Sequence, residues 1–222
     1  MNEQTAVIDI NNLYLKSDQG EDIFCGLNLR LLSGQSACIS GPAGSGKSSL
    51  VEIILGLRRV ESGLVEVFGR IISPRSGNSL LWVRRKTGGV GGLFGLVPSL
   101  TVEQNILLPL VIDGVPHDLQ NDKLESVLNA FALARISMQY PSSLTRVENT
   151  LVQFARASIA DQPLLIIDEP SAGLDPHTYD RVFEYLVTAS VGGRSMLIFS
   201  TEPQTRQLPF TAYKKIDSRR LI

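Results

Sequence analysis

Residues 41–48 of this chain read GPAGSGKS and indicate its architecture more clearly than any other segment. It fits the pattern G-x-x-x-x-G-K-[ST] of phosphate-binding loops. Glycines allow backbone N–H groups to turn inward around an anion, and the helix that follows directs the positive end of its dipole at the same point. A lysine here reaches the β- and γ-phosphates, and the hydroxyl after it ligates Mg²⁺. The predicted nucleotide-binding residues are Gly41, Pro42, Ala43, Gly44, Ser45, Gly46, Lys47, Ser48 and Ser49.

The flanking sequence provides the context that this motif requires. Residues 36–40 form a short, largely apolar run that predicts a buried strand, and residues 49–57 predict a helix with an apolar face and a glycine near its end. A strand, a loop and a helix in this order are typical of phosphate-loop proteins.

Length and composition limit the classes of protein to consider. The chain has 222 residues, of which 43% are hydrophobic, and a formal net charge of −1. This length suits one domain, and the near-neutral charge gives no electrostatic footprint for nucleic acid as a partner. No apolar run reaches the roughly 18 residues of a spanning helix, and the N-terminus lacks the pattern of a signal peptide. We therefore expect a cytoplasmic chain that reaches the inner face of a membrane only through a partner.

The remaining sequence alternates between strands and helices. Strands are predicted at 6–15, 24–32, 63–69, 164–167 and 196–199, and helices at 102–111, 119–133, 148–160 and 179–189. The pattern predicts an α/β fold with ligand at the carboxyl ends of the strands. The helices of the middle third predict a helical subdomain at about 91–160, inserted into a strand-rich core at about 1–90 and 161–222. All of it falls within a single domain, 1–222.

Two carboxylates follow a predicted buried strand, in the sequence LLIIDEP at 164–170. An aspartate at this position of a phosphate-loop protein holds Mg²⁺, which makes Asp168 and Ser48 the predicted metal ligands. The next residue, Glu169, is placed to polarise an attacking water as a general base. Glu169 and Lys47 are thus the predicted catalytic residues.

The combination of GPAGSGKS with DEPSAGLDP at 168–176 resembles the nucleotide-binding cassette of ABC transporters. The resemblance covers nearly the whole chain. It implies a phosphate-loop NTPase core with a mixed, RecA-like sheet, an antiparallel β subdomain and an inserted α-helical subdomain. It also implies binding of ATP and Mg²⁺, dimerisation with a second cassette through a loop that contains Asp175, and an integral membrane permease as partner. Residues 101–114 are most similar to the subgroup that serves lipoprotein release, cell division, macrolide efflux and phospholipid trafficking.

The family's signature sequence, L-S-G-G-Q/E, is degenerate in this chain. Its place is taken by LTRVE at 144–148, where Thr145 keeps a hydroxyl while Arg146 and Val147 replace both glycines. In the family, those glycines let the backbone approach the γ-phosphate bound on the opposite subunit. We expect the two side chains to obstruct that approach, and the alternative is that Arg146 supplies charge to the phosphate as an arginine finger does.

Three further positions depart from the family pattern. The glutamine that senses γ-phosphate and metal is expected near Gly92, within a glycine-rich stretch at 88–92 that predicts a flexible loop without a sensing side chain. The switch histidine is expected after the strand at 196–199, where Glu202 is the best match and Thr201 the second. An ionised carboxylate there repels phosphate.

The aromatic residue that stacks on adenine is expected near Ser17. Tyr14 and Phe24 lie close to that position in the sequence, but both are predicted to be packing residues.

These features predict an ATPase with slow or partner-dependent turnover. The first hypothesis is an ATP-binding subunit that drives or gates a membrane permease, with a lipid or lipoprotein as substrate. The alternatives are a non-catalytic ATP-binding module that regulates or scaffolds a membrane complex, and a soluble ABC ATPase without a transport role.

Overall fold

The computed structural model describes residues 5–170, 173–201 and 211–222. The strands are β1 Ala6–Lys16, β2 Asp22–Leu32, β3 Ser36–Ser40, β4 Ser62–Val67, β5 Arg70–Ile71, β6 Thr87–Val90, β7 Leu164–Asp168, β8 Ser195–Ser200, β9 Thr211–Asp217 and β10 Arg220–Leu221. The helices are α1 Lys47–Ile54, α2 Asn78–Arg85, α3 Val102–Ile112, α4 His117–Ala130, α5 Arg146–Ser158 and α6 Pro176–Val191.

The central sheet has six strands in the order β10-β9-β3-β8-β7-β6. Five of them run parallel, and β10 closes the edge as an antiparallel hairpin with β9. The smaller sheet has the order β2-β1-β4-β5 and is antiparallel throughout. This is the predicted α/β architecture, with a mixed phosphate-loop sheet and an antiparallel β subdomain.

Alternating residues of the central strands separate two hydrophobic cores. In β7, Leu164 and Ile166 face the first core, which also contains the antiparallel sheet and α1. Leu165 and Ile167 face the second core, which contains α3, α5 and α6. Because both faces of the sheet are covered, its strands read as continuous apolar runs. This explains why β7 could be predicted from its sequence alone.

The predicted helices of the middle third are present as α3, α4 and α5, between β6 and β7. The limits of the proposed helical subdomain, 91–160, remain a prediction. One helix, α2, was not predicted because only Leu80 and Val83 of its eight residues are buried. Within the described residues, no helix combines the length and apolarity needed to cross a membrane.

The prediction of a flexible glycine loop at 88–92 is wrong for its first half. Residues 87–90 form β6, which pairs with β7 and is buried along its length. The glycines are required by packing, because a Cβ on Gly89 would lie 2.0 Å from the Phe94 ring and a Cβ on Gly88 would lie 2.9 Å from Leu165. Glycine here makes room for neighbouring side chains instead of providing mobility.

Candidate functional site

The phosphate-binding loop joins β3 to α1 as the sequence predicts. Gly46 precedes the helix with a φ of 99°, a left-handed conformation that favours glycine. A Cβ at this position would lie 2.7 Å from Ile23 and 2.8 Å from the ring of Phe24, both below the loop. The loop is therefore held in shape by the antiparallel sheet as well as by its own sequence.

The Lys47 side chain lies inside the loop and is largely buried, with 8% exposure. Its ammonium group donates hydrogen bonds to the carbonyl oxygens of Gly41 and Pro42, at 2.6 and 3.1 Å. A buried ammonium group that can exchange these carbonyl oxygens for phosphate oxygens is suited to an anion.

The three serines of the loop differ in their surroundings. The Ser45 hydroxyl is buried and has no hydrogen-bond partner among the described residues. Ser48 is exposed at the first turn of α1, whereas the Ser49 hydroxyl accepts a hydrogen bond of 3.1 Å from Arg58. Ser48 and Ser45 are thus the hydroxyls available to a ligand, and Ser49 is occupied by a structural contact.

Asp168 and Glu169 stand at the carboxyl end of β7. The Glu169 backbone has a φ of 56°, which is uncommon outside glycine and typical of strained functional positions. Its N–H donates to the carbonyl oxygen of Phe199 at 2.9 Å, and its side chain accepts a hydrogen bond from the Thr201 hydroxyl. Thr201, the second-ranked match to the switch position, therefore contacts the predicted general base directly.

The two carboxylates lie in a partly desolvated, negatively charged environment. Burial raises the pKa of Asp168, the charge of Glu169 raises it further, and the charge of Lys47 lowers it. Burial and Glu169 also raise the pKa of the Cys38 thiol to about 11, so this free cysteine of β3 stays neutral. A cation between the carboxylates and the loop would relieve this repulsion.

Two residues of α5 that sequence reasoning missed hold the segment after β6. Gln153 accepts a hydrogen bond of 2.8 Å from the Gly91 N–H. Arg156 donates to the carbonyl oxygens of Phe94 and Gly95. The signal was present in the sequence, since both are polar residues among the apolar positions of α5. Gly92 therefore begins a single turn, 92–94, whose neighbours on both sides are bonded to α5.

The degenerate signature positions form the start of α5. Thr145 caps the helix in a capping box with Glu148, in which each side chain accepts from the other's backbone N–H at 3.2 and 2.8 Å. Those hydrogen bonds from Thr145 lower the pKa of Glu148. Val147 packs against the second core. Arg146 lies against the backbone of Gly173, where a Cβ would be 3.1 Å from its Nε.

Three further positions named in the sequence analysis are Asp175, Glu202 and Phe24. Asp175 caps α6 by accepting 3.0 and 2.6 Å hydrogen bonds from Thr178, which lower its pKa, and it remains exposed. Glu202 lies outside the described residues. Phe24 is fully buried beneath Gly46, which confirms its packing role.

A cavity of about 520 Å³ lies beside the phosphate loop, between Ser17 and the β9–β10 turn. Its other lining residues are Glu21, Asp22, Ile23, Pro42, Gly44, Ser45 and residues 215–219. Among these described residues none is aromatic. Tyr14 lies instead with its hydroxyl near Gly26, on the antiparallel sheet.

Comparison with known proteins identifies the family. A model of the ABC transporter family matches residues 24–172, about two thirds of the chain, including the phosphate loop and both carboxylates. The chain belongs to the ABC transporter family. Membership makes it an ABC-type ATPase domain, and it confirms the resemblance that the two motifs indicate.

Individual relatives support the same assignment. Over 197 residues, the chain is 29% identical to the macrolide export ATP-binding/permease protein MacB of Shigella flexneri, covering 88% of this chain and 30% of MacB. It is 34% identical over 161 residues to the methionine import ATP-binding protein MetN of Geobacillus kaustophilus, covering 72% of this chain and 47% of MetN. The chain thus spans less than half the length of either relative.

A solved structure shows the same architecture. The dimeric post-hydrolysis state of the ATP-binding cassette MJ0796, bound to ADP and Pi, matches with a TM-score of 0.80 and 25% identity, covering 88% of each chain.

Proposed function

We propose that this chain is the ATP-binding subunit of an ABC transporter complex, binding MgATP and hydrolysing it slowly or under the control of a partner. The observation that supports this most is the meeting of two motifs at one edge of the sheet. Ser40 of β3 pairs with Ser200, and Asp168 of β7 pairs with Phe199. β3 and β7 lie on either side of β8 and run parallel to it, so the phosphate loop and the carboxylates leave the sheet at the same end.

The residues present fit a nucleotide with Mg²⁺. The buried Ser45 hydroxyl lacks a partner among the described residues, which suits a polar ligand in the loop. Ser48 and Asp168 offer hard oxygen donors, the type that Mg²⁺ prefers. The part of the chain that the structure describes has no cluster of three or more His, Cys, Asp or Glu suited to a metal. Mg²⁺ is commonly held by one or two carboxylates together with phosphates, so a sparse ligand set suits it.

Each residue then has a distinct role. Lys47 exchanges its bonds to the loop carbonyls for phosphate oxygens, and the loop's N–H groups orient the phosphates. Ser48 and Asp168 would hold Mg²⁺, which when bound would neutralise charge on the phosphate oxygens. Glu169 orients a water for attack and accepts its proton. Thr201 restrains the Glu169 carboxylate through its hydroxyl.

Slow turnover follows from the positions around this centre. Gly92 has no side chain to reach the γ-phosphate, and the hydroxyl of Thr145 is engaged by Glu148. Arg146 and Val147 place side chains where the family has glycines. In a homodimer both composite sites carry these departures. In a heterodimer with a standard cassette, one site faces an intact signature and the other faces residues 145–147.

We propose that the partners are a second cassette and an integral membrane permease, which hold the chain on the cytoplasmic face of the membrane. Asp175 and its loop form part of the contact between cassettes. We propose a lipid or lipoprotein as the transported class, because residues 101–114 resemble the subgroup that serves lipoprotein release and phospholipid trafficking. Co-purification of the chain with a membrane subunit tests this arrangement.

The test of the core proposal is MgATP binding and steady-state hydrolysis by the purified protein, alone and with a co-purifying membrane partner. Lys47→Ala should weaken binding about tenfold or more, the equivalent of one charged hydrogen bond. Lys86→Ala, at the exposed end of α2, is the matched control and should bind as the native chain does. Absence of MgATP binding would refute the proposal, and turnover equal to that of an ordinary cassette would refute its slow-hydrolysis part.

A second candidate is a non-catalytic ATP-binding module that gates or scaffolds a membrane complex. The contact of Arg146 with Gly173 favours it, because the start of α5 is engaged with its own chain. Glu169→Gln separates the two candidates. If hydrolysis matters, this variant should lose turnover and accumulate a nucleotide-bound dimer, whereas in a non-catalytic module it should leave the dimer fraction unchanged.

A further inference from the structure

Gln153 of α5 lies between the helical region and Asp168, the carboxylate predicted to ligate Mg²⁺. It is buried, with 9% exposure, and it bonds to Gly91, the residue directly after β6. Together with Gly91, Gly92, Asp168 and Glu169 it lines a cavity of about 440 Å³. A buried amide in this position must have its hydrogen bonds satisfied or it destabilises the fold.

Both ends of the Gln153 amide are bonded. Its Oε1 accepts from the Gly91 N–H at 2.8 Å, and its Nε2 donates to Oδ1 of Asn149 at 2.8 Å. Since an N–H must face an oxygen, these two bonds together fix which way the amide points. The side chain therefore has one orientation, which is fixed by its hydrogen bonds to Asn149 on the same helix and to the backbone of Gly91.

Gly91 in turn touches Asp168. A Cβ on Gly91 would lie 2.7 Å from the Cβ of Asp168 and 2.9 Å from its carbonyl oxygen. The φ of Gly91 is 118°, which side-chain-bearing residues rarely adopt. The backbone of Gly91 thus lies so close to Asp168 that no side chain fits between them, and its N–H is bonded to Gln153.

We propose that Gln153 is a positioning residue for Asp168, linking the helix that begins at Thr145 and Arg146 to the carboxylate that holds Mg²⁺. This inference rests on the proposed function. A shift of α5 moves the amide, the amide moves Gly91, and Gly91 determines where the Asp168 carboxylate can lie. Gly92 has no side chain that could reach the metal site. The Gln153 amide, which lines the same cavity, acts there instead.

The test compares Gln153→Leu with Gln120→Leu in the full chain. Gln120 is a matched control, because it is also a helical glutamine with 9% exposure and its Nε2 donates to one backbone carbonyl, that of Val115. The first measurement needs no nucleotide and is amide hydrogen exchange at Gly91, followed by NMR. Gln153→Leu should speed exchange about tenfold, the equivalent of one hydrogen bond, while Gln120→Leu leaves it unchanged.

The second measurement is the Mg²⁺ concentration that half-saturates binding of a fluorescent ATP analogue. Gln153→Leu should raise this concentration about three- to tenfold, with analogue binding in the absence of Mg²⁺ unchanged. Gln153→Glu keeps the acceptor for Gly91 and should keep its amide exchange within about twofold of the native rate. A residue with a merely structural role would lower the melting temperature without moving the Mg²⁺ requirement.

The outcomes separate this inference from the proposal on which it depends. If the native chain fails to bind the analogue with Mg²⁺, the proposed function fails and the positioning role fails with it. If the native chain binds while Gln153→Leu and Gln120→Leu have the same Mg²⁺ midpoint, only the inference is overturned. Unchanged Gly91 exchange in Gln153→Leu would also overturn it.

Discussion

The phosphate loop and the start of α5 use the same local chemistry in different ways. Both are helix N-termini approached by a loop, where backbone N–H groups point outward and can bind an anion. At α1 the preceding residue is Gly46, with no side-chain cap, so the N–H groups are left for a ligand. At α5 the cap is Thr145, and the capping box with Glu148 satisfies two N–H groups within the chain, those of Thr145 and Glu148. The start of α1 thus has no side-chain cap, whereas the start of α5 is capped by its own side chains.

The difference is also one of charge. The phosphate loop holds a buried cation, Lys47, inside it. The start of α5 carries a cation too, but Arg146 turns towards Gly173. Nucleotide binding therefore tolerates little change at α1, whereas the start of α5 should tolerate substitution and even gain function from it. The following predictions test that contrast.

The largest effect is expected for Gly46→Ala. The new Cβ would meet Ile23 and Phe24 at 2.7–2.9 Å in a left-handed conformation, and Phe24 is fully buried. We expect a loss of about 2–3 kcal/mol in the free energy of unfolding, seen as a fall of about 5–10 °C in Tm. The control is Gly92→Ala, whose Cβ would enter open space. Equal melting temperatures for the two variants would contradict the role assigned to Gly46.

Replacing Arg146 and Val147 together by glycine should raise ATP turnover. The change removes the Arg146 side chain, which lies against Gly173, and restores access to the backbone at the start of α5. We expect about a three- to tenfold increase in kcat, close to 1 kcal/mol of barrier. Arg135→Gly, at another exposed arginine in a short turn, serves as the control. A fall in turnover would instead support the alternative in which Arg146 supplies charge to phosphate.

Asp168→Asn should stabilise the fold while weakening Mg²⁺ binding. Because burial and Glu169 raise the pKa of Asp168 in the folded chain, the folded state holds that proton more tightly than the unfolded state does. The unfavourable contribution is present at pH 7 and disappears as the pH falls below the unfolded pKa. We expect Tm to rise by a few degrees at pH 7, and the gain to shrink as the pH falls through and below the usual aspartate range. A gain that is independent of pH would exclude this cause.

Thr145→Ala should remove the capping box at α5 and cost about 1 kcal/mol at pH 7. Hydrogen bonds from Thr145 lower the pKa of Glu148, so their stabilising effect is present above the usual glutamate range and is lost as the pH falls through the folded pKa. Urea unfolding at pH 7 and pH 3.5 should therefore show a smaller penalty in acid. Thr145→Ser keeps the cap and is expected to unfold as the native chain does.

The contrast between the two helix starts also separates what the sequence could predict from what it could not. The phosphate loop, β7 and the two carboxylates follow from local patterns: a glycine spacing, an apolar run and the acids at its end. These patterns act over a few residues, so no distant contact was needed to interpret them.

The glycines at 88–92 could not be interpreted this way, because what fixes them lies far along the chain. Phe94 fills the space above Gly89, while Gln153 and Arg156 reach back from α5 across some sixty residues. A glycine in a strand and a glycine in a mobile loop look alike in sequence, and only the tertiary contacts distinguish them. Gln153 stands out as a polar residue among the apolar positions of α5, but its partner, the Gly91 N–H, lies far away in the sequence, so its role could not be assigned.

The alternation of β7 between two cores restricts how this protein can evolve. Leu164 and Ile166 belong to one core and Leu165 and Ile167 to the other, and the same strand ends in the adjacent acids Asp168 and Glu169. Deleting one residue within β7 would move the residues on one side of the deletion to the opposite face of the sheet, so that either the apolar residues or the two acids would change faces. Substitution of Asp168 or Glu169 leaves this alternation intact, whereas a change in the length of β7 preserves it only if two residues are added or removed together.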